Sequence, residues 1–386
     1  GLVPETENIN KARSLFAALL DAPGGLQFQT IHSFCQSLLA RFPLEAGVPL
    51  GFGVCDDRTS RALLDSAERE IFAAAAANPQ GALEQPLEHL LSEFSEDQFR
   101  KLTGEIIGAR SQLVPLLATG VSAKLREHLE LAPDTTVVGL IKNFCSRDDS
   151  ALRAALPILL ANADKKTEQR AATVLTAWLE QTPTQREHSL AAYLGWLLVE
   201  SGSKIRAVIV TTAITSKHPA ITDLLKKEQE AALRLSLSLR NFRCLKLTEA
   251  MLLYANELLT RYQRLKRDRL TLDYEDLIEE AVQLVHRQDE LWVLYKLDGG
   301  IDHVLVDEAQ DTNERQWLLL RRLTGDFFAG QGASENEGRT LFAVGDYKQS
   351  IYSFQGADPD AFIKEREHYL KKANAVKQAF AQEVFQ

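Results

Sequence analysis

Cysteine is scarce: 386 residues contain four, Cys35, Cys55, Cys145 and Cys244, and no two form a Cys-x-x-Cys pair. That spacing argues against the common zinc frameworks and against a disulfide scaffold. It fits thiols buried as small hydrophobes in a reducing, cytoplasmic compartment. Methionine occurs once, as Met251. No apolar run approaches the roughly 20 residues needed to cross a bilayer, and no leader pattern opens the chain, so no membrane role is expected. Positive charge is short as well. The formal net charge is -9, which argues against binding a polyanion over the whole surface. Also missing is any G-x-x-x-x-G-K-[ST] loop, the backbone cradle and lysine that usually hold a nucleotide's phosphates.

What is present is ordinary for a globular chain of two or three domains: 45% hydrophobic and 25% charged residues. The charge is unevenly placed. Residues 271–386 hold 12 Lys and Arg against 22 Asp and Glu, whereas residues 56–270 hold 29 against 27. The most basic window, 234–269, has 9 against 3. Its residues Arg261, Arg264, Lys266, Arg267 and Arg269 are candidates for holding duplex DNA.

Helical apolar spacing covers 8–20 and ends at Ala22-Pro23-Gly24-Gly25. Leu26 to Ile31 alternates like a short strand. His32 to Phe42 reads as a helix stopped by Pro43, and 44–53 as an exit linker. From 56 to about 269 nearly every segment is helical in pattern, with Val208 to Thr212 as one isolated strand candidate. A further helix restarts near Thr271 with Asp273 as its N-cap, the acids behind it suiting the positive end of the helix dipole. Then follow a buried strand at 301–306, a helix at 313–323, a loop at 329–339, a strand at 340–344 and a helix at 359–380. Strands alternating with helices predict an α/β domain with a parallel sheet, interrupted by the helical block.

Two strand ends carry the chemistry. Ile301-Asp302-His303-Val304-Leu305-Val306 runs into Asp307-Glu308-Ala309-Gln310-Asp311-Thr312, and Leu341-Phe342-Ala343-Val344 runs into Gly345-Asp346-Tyr347-Lys348-Gln349. Carboxylates at the C-terminal end of a parallel strand stand where α/β sheets bind ligands. Asp307 suits magnesium, which takes few carboxylates and fills its shell with phosphate and water. Glu308 suits the polarisation of an attacking water. Gln349 offers an uncharged amide able to report phosphate state, and Tyr352 and Phe354 offer stacking surfaces for bases.

These stretches resemble the UvrD/Rep-type helicase superfamily. Val306-Asp307-Glu308-Ala309-Gln310-Asp311-Thr312 resembles its motif II, and Val344-Gly345-Asp346 through Gln355-Gly356-Ala357 its motif III. Thr30-Ile31-His32-Ser33-Phe34-Cys35 is similar to its T-x-H-S-F-C element, and Leu272-Asp273-Tyr274-Glu275-Asp276-Leu277 to its D-[FY]-x-D-L element. Within the superfamily the resemblance is nearest to AddA-type helicase–nuclease subunits. The runs Gly25–Val48 and Lys348–Pro359 carry it, as does the interval of 277 residues between Thr30 and Asp307.

The resemblance implies a partial RecA-like parallel-sheet motor domain (1A, residues 1–55 and 271–386) interrupted by a large all-helical insert (1B, residues 56–270). It implies ATP and magnesium as cofactors, with Asp307 on the metal, Glu308 as catalytic carboxylate, Gln349 as γ-phosphate sensor and Gln310 coupling nucleotide to DNA. It implies single-stranded DNA at Thr30, His32, Ser33, Tyr352, Phe354 and Gln355, duplex DNA ahead of the motor, and an AddB-like partner subunit. Many relatives have arginine at the position of Gln355, which removes a charge-assisted contact there. His32 taken alone would read as a packed core histidine. The activity implied is that of an ATP-dependent DNA helicase in double-strand break repair and recombination. Without the phosphate loop, the chain reads as an internal, inactive stretch of such a protein. A UvrD- or RecB-like helicase fragment and a non-catalytic DNA-binding module are the alternatives.

Overall fold

Thr30 turns the chain into a helix. Its backbone is extended (φ -67°, ψ 157°) and its Oγ1 accepts the Ser33 N–H at 3.2 Å, the N-cap arrangement that Ser and Thr favour. α1 follows over Ile31–Arg41. The strand expected at 26–31 therefore does not extend into Gln29–Ile31; its earlier part lies outside the described residues. The computed structural model describes residues 14–15, 29–163, 165–287, 292–293, 296, 301–328, 339–346 and 359–384. Pro43 does not simply stop the chain. It occupies the first turn of α2 (Pro43–Ala46), where a missing N–H costs nothing, and Gly47 closes that turn in the left-handed region (φ 73°). The stretch expected as a linker thus holds a helical turn and β1 (Gly53–Val54). α3 spans Asp57–Ala77.

Phe72–Glu257 forms one compact unit, and Gly1–Ile71 with Leu258–Gln386 forms the other. The first contains the end of α3, then α4 (Glu84–Glu93), α5 (Glu96–Gly108), α6 (Arg110–Ala118) and α7 (Val121–His128). α8 (Val137–Cys145), α9 (Ser150–Ala161), α10 (Lys166–Leu179) and α11 (Pro183–Leu197) follow. Next come β2 (Leu198–Val199), β3 (Lys204–Ile205) and α12 (Thr212–Lys217). α13 (Pro219–Asp268) leaves this unit at Glu257. β2 and β3 pair antiparallel, a hairpin that helical patterning concealed. Gly202 makes its turn possible at φ 86°, where a Cβ would collide with Ser236. Val208–Val210, the strand candidate, is not a strand. The core gathers Leu159, Leu175, Leu197 and Leu225 around Trp178 and Tyr193, whose rings stack at 3.9 Å. Buried Arg186 is fully engaged there, donating to the Cys145 and Trp178 carbonyls and pairing with Asp149 at 2.5 Å, as an interior charge must be.

In the discontinuous unit, β4 (Thr271–Leu272) pairs parallel with β1. α14 (Tyr274–His286) starts at Asp273, as its sequence predicts, with a capping box closed by Asp276. β5 (His303–Val306) and β6 (Thr340–Ala343) pair in parallel, His303 opposite Thr340 and Val306 opposite Ala343. α15 (Glu314–Leu323) is capped by Asn313 and Gln316, and α16 spans Pro359–Val384. α1, α14 and α15 pack through Leu38, Leu39, Leu277, Ala281, Val285 and Leu319. A second cluster joins Val304, Val306 and Leu341 to Ala309, Trp317, Leu320, Phe362 and Tyr369. β5 is buried on that face only. Leu305 and Phe342, on the other, are exposed, so the strand is half-covered rather than buried as its apolar run suggests. The chain is mostly helical, and among the described residues its strands form three two-stranded sheets, two of them parallel.

Three cysteines are buried as expected, but Cys244 is exposed; all four are free thiols. Among the described residues no helix is long and apolar enough to cross a membrane.

Candidate functional site

The ends of β5 and β6 meet at a junction built from Asp307 to Thr312 and from Val344 to Asp346. The ladder continues past the strands, with the Val344 N–H donating to Val306 O and the Ala309 N–H to Val344 O, both at 2.8 Å. Between these bonds the chain turns sharply. Glu308 adopts φ 48°, ψ 44°, a left-handed conformation that costs a non-glycine residue roughly 1–2 kcal/mol. The strain is held locally. The Glu308 N–H donates to Asp307 Oδ1 at 3.0 Å, and Asp311 N–H closes a short 3-10 turn onto Glu308 O at 2.9 Å.

Gln310 lies at the centre and is 1% exposed. Its Nε2 donates to Glu308 Oε2 at 2.6 Å, and its Oε1 accepts the Asp346 N–H at 3.0 Å. One buried amide thus links the second carboxylate of β5 to the loop leaving β6. Asp307 and Glu308 themselves are exposed. Asp307 keeps one oxygen outside its local bond, a donor set that suits a cation completing its shell with phosphate and water. Among the described residues no three His, Cys, Asp or Glu gather into a protein-only metal cage. Gly345 has a role that its place in a motif does not reveal. A Cβ there would stand 2.5 Å from Gln310 Oε1 and 3.0 Å from Gln310 N, so only glycine fits.

A second group forms at the start of α1. Thr30 and Ser33 are exposed, with their hydroxyls 3.0 Å apart. His32 is half-buried, and desolvation lowers its pKa, favouring the neutral ring at pH 7. Tyr274, at the start of α14, meets it edge-on, with ring centroids 5.2 Å apart. Tyr274 is not among the contacts that sequence reasoning singles out; its place between two helix-starting aspartates is the signal that fixes it there. Gln349, Tyr352, Phe354 and Gln355 lie outside the described residues. Lys266 does not belong with the DNA-facing cations. It is 1% exposed and paired with Asp273 and Asp276. The helical stripe Leu258, Leu259, Tyr262, Lys266 already places it on the buried side of α13.

The family model for the UvrD/REP helicase N-terminal domain matches residues 7–370. Three relatives are named as ATP-dependent helicase/nuclease subunits of the AddA type. That of Bacillus cereus (strain G9842) is 36% identical over 118 residues, 29% of this chain and 9% of its own length. That of Natranaerobius thermophilus is 34% identical over 113 residues, 29% of this chain and 8% of its own. That of Limosilactobacillus reuteri is 34% identical over 113 residues, 28% and 7% respectively. The chain's match spans less than a tenth of the length of these relatives. With nearly its whole length matched by the family model, the chain belongs to the UvrD/REP helicase N-terminal domain family.

Proposed function

We propose that the chain supplies the first RecA-like motor domain (1A, residues 1–55 and 271–386) and the helical accessory domain (1B, residues 56–270) of an AddA-like, ATP-dependent DNA helicase acting in double-strand break repair. The carrying observation is the junction of β5 and β6, where one buried amide, Gln310, bonds both the Glu308 carboxylate and the backbone of Asp346. A helicase must make hydrolysis depend on DNA, and this is a rigid connection between a hydrolytic carboxylate and the loop leading to Gln349, Tyr352 and Phe354.

In this reading Asp307 holds magnesium, which when bound supplies positive charge to the phosphate oxygens of ATP. Glu308 orients a water and accepts its proton. Gln310 fixes the Glu308 carboxylate in place. Gln349 bonds the terminal phosphate through its amide. Thr30, Ser33 and His32, with Tyr274 beside them, offer hydroxyl and ring contacts to single-stranded DNA, and Tyr352, Phe354 and Gln355 extend that path. The further partners are duplex DNA and an AddB-like subunit. The phosphate cradle is absent from this sequence, so the 386-residue chain by itself neither turns over ATP nor unwinds DNA.

DNA-stimulated ATP hydrolysis by this chain and by the full-length gene product tests the reading. Activity is expected in the full-length protein only, falling about 10²- to 10⁴-fold in Glu308→Gln. Rapid turnover by the chain alone, abolished in Glu308→Gln, would overturn its assignment as an incomplete motor. A full-length protein inert with ATP and DNA would overturn the motor itself.

A further inference from the structure

Lys266 stands at the end of a basic helix, yet it is buried to 1% exposure. Its Nζ lies 2.9 Å from Asp273 Oδ2 and 2.5 Å from Asp276 Oδ2. It also sits 4.5 Å from the centroid of the Tyr262 ring, whose hydroxyl donates to Asp273 Oδ2 at 2.9 Å. Its carbonyl accepts the Arg269 N–H at 3.1 Å and the Thr271 hydroxyl at 3.3 Å. One residue therefore binds the last turn of α13, the start of β4 and the first turn of α14. The reversal between them passes through Leu270 in the left-handed region (φ 52°).

The two carboxylates are the two halves of the α14 capping box. Asp273 Oδ1 accepts the Asp276 N–H at 3.0 Å, and Asp276 Oδ2 accepts the Asp273 N–H at 3.1 Å. Buried carboxylates this close repel, and without a cation they separate or take up a proton. The ammonium therefore keeps the box closed. Between the two aspartates comes Tyr274, the first residue of α14, 45% exposed. Its ring stands edge-on to His32, beside the hydroxyls of Thr30 and Ser33.

We infer that Lys266 is a positioning residue for single-stranded DNA: by closing the Asp273–Asp276 box it holds the Tyr274 ring beside His32 as a stacking surface. This rests on the DNA-binding reading of Thr30 to Ser33. Lys266 touches no nucleic acid, and its effect passes through Tyr274 alone.

The test is a mutant cycle in the full-length protein, with binding of a labelled oligo-dT strand followed by fluorescence anisotropy. Lys266→Met is expected to weaken binding about 5- to 10-fold, within the range of losing one base–aromatic stack. In the Tyr274→Ala background the same substitution is expected to change binding less than about 2-fold. A general loss of folded protein would weaken both backgrounds equally, and that result overturns the inference. Should Lys266→Met not fold, Asp276→Asn opens half of the box while leaving Lys266 paired with Asp273, and the same cycle applies. Weakening by His32→Ala with none by Tyr274→Ala overturns the positioning role and leaves the DNA-binding reading intact. No weakening by either overturns both.

Discussion

Gly345 faces Gln310 across a gap that admits no side chain. A Cβ would stand 2.5 Å from Gln310 Oε1, 3.0 Å from Gln310 N and 3.2 Å from Ala309 N. Two of those neighbours are backbone and cannot step aside. Gly345→Ala is therefore expected to push Gln310 off Glu308 and Asp346. Overpacking of this kind costs about 1–3 kcal/mol. The expected readout is a fall of about tenfold or more in DNA-stimulated ATP turnover by the full-length protein, with a lowered melting temperature. Unchanged turnover would mean that the junction is merely structural.

Gln310→Ala tests the same connection from inside. It strands the Asp346 N–H and frees the Glu308 carboxylate, and a lost buried hydrogen bond costs about 1–3 kcal/mol. Turnover at saturating ATP is expected to drop about 5- to 150-fold, since each 1.4 kcal/mol is a factor of ten. The half-saturating ATP concentration should move little, because Gln310 is buried behind the carboxylate. A shift in ATP affinity with unchanged maximal turnover would contradict this role.

The elements around the site were readable where local chemistry decides them. Asp273 with Asp276, and Asn313 with Gln316, form capping boxes from side chains three residues apart, and both helices begin there. The paired strands fall within two residues of their expected ends. Legibility failed where long-range packing overrides pattern. Thr30 alternates into an apparent strand, yet its hydroxyl caps a helix. The β2–β3 hairpin is two residues per strand, too short for periodicity to register. Lys266 looks solvated by charge, and only its partners, 7 and 10 residues on, explain its burial. The bonds of Gln310 to Glu308 and Asp346 depend on two strands meeting, which no single stretch encodes.

Glu280 gives the fold a pH dependence of definite sign. Burial, with Asp276 next in effect, raises its pKa above the ordinary glutamate value of 4.5, partly offset by Arg287 and Lys266. The folded state thus holds this proton more tightly than the unfolded chain. Its stabilising contribution is complete below the ordinary glutamate range and is lost as pH rises through the folded pKa. Glu280→Gln, which mimics the protonated form, is expected to raise the melting temperature at pH 7.5. The gain should shrink toward zero as pH falls to about 4, near the unperturbed value. Calorimetric melts of both proteins across that range check it, and a gain independent of pH would locate the effect elsewhere.

The end of α13 separates cations that are spent from cations that are available. Arg264 pairs with Glu70 at 2.6 Å and Asp268 at 3.1 Å, and Arg261 lies 3.9 Å from Glu70. Lys266 is enclosed. Arg267 and Arg269 are exposed at the same helix end, so any contribution of this turn to duplex DNA must come from them. Each phosphate contact steepens the slope of log affinity against log salt by about 0.9. Reversing both, as Arg267→Glu with Arg269→Glu, is expected to flatten the slope by about 2 and to weaken duplex binding at low salt. Reversing Arg264 alone should alter the slope far less, because its charge is already matched by two carboxylates. Duplex titrations of the full-length protein between low and moderate salt distinguish the two. An unchanged slope in the double variant would make this turn a solvated helix face and move the duplex contact elsewhere.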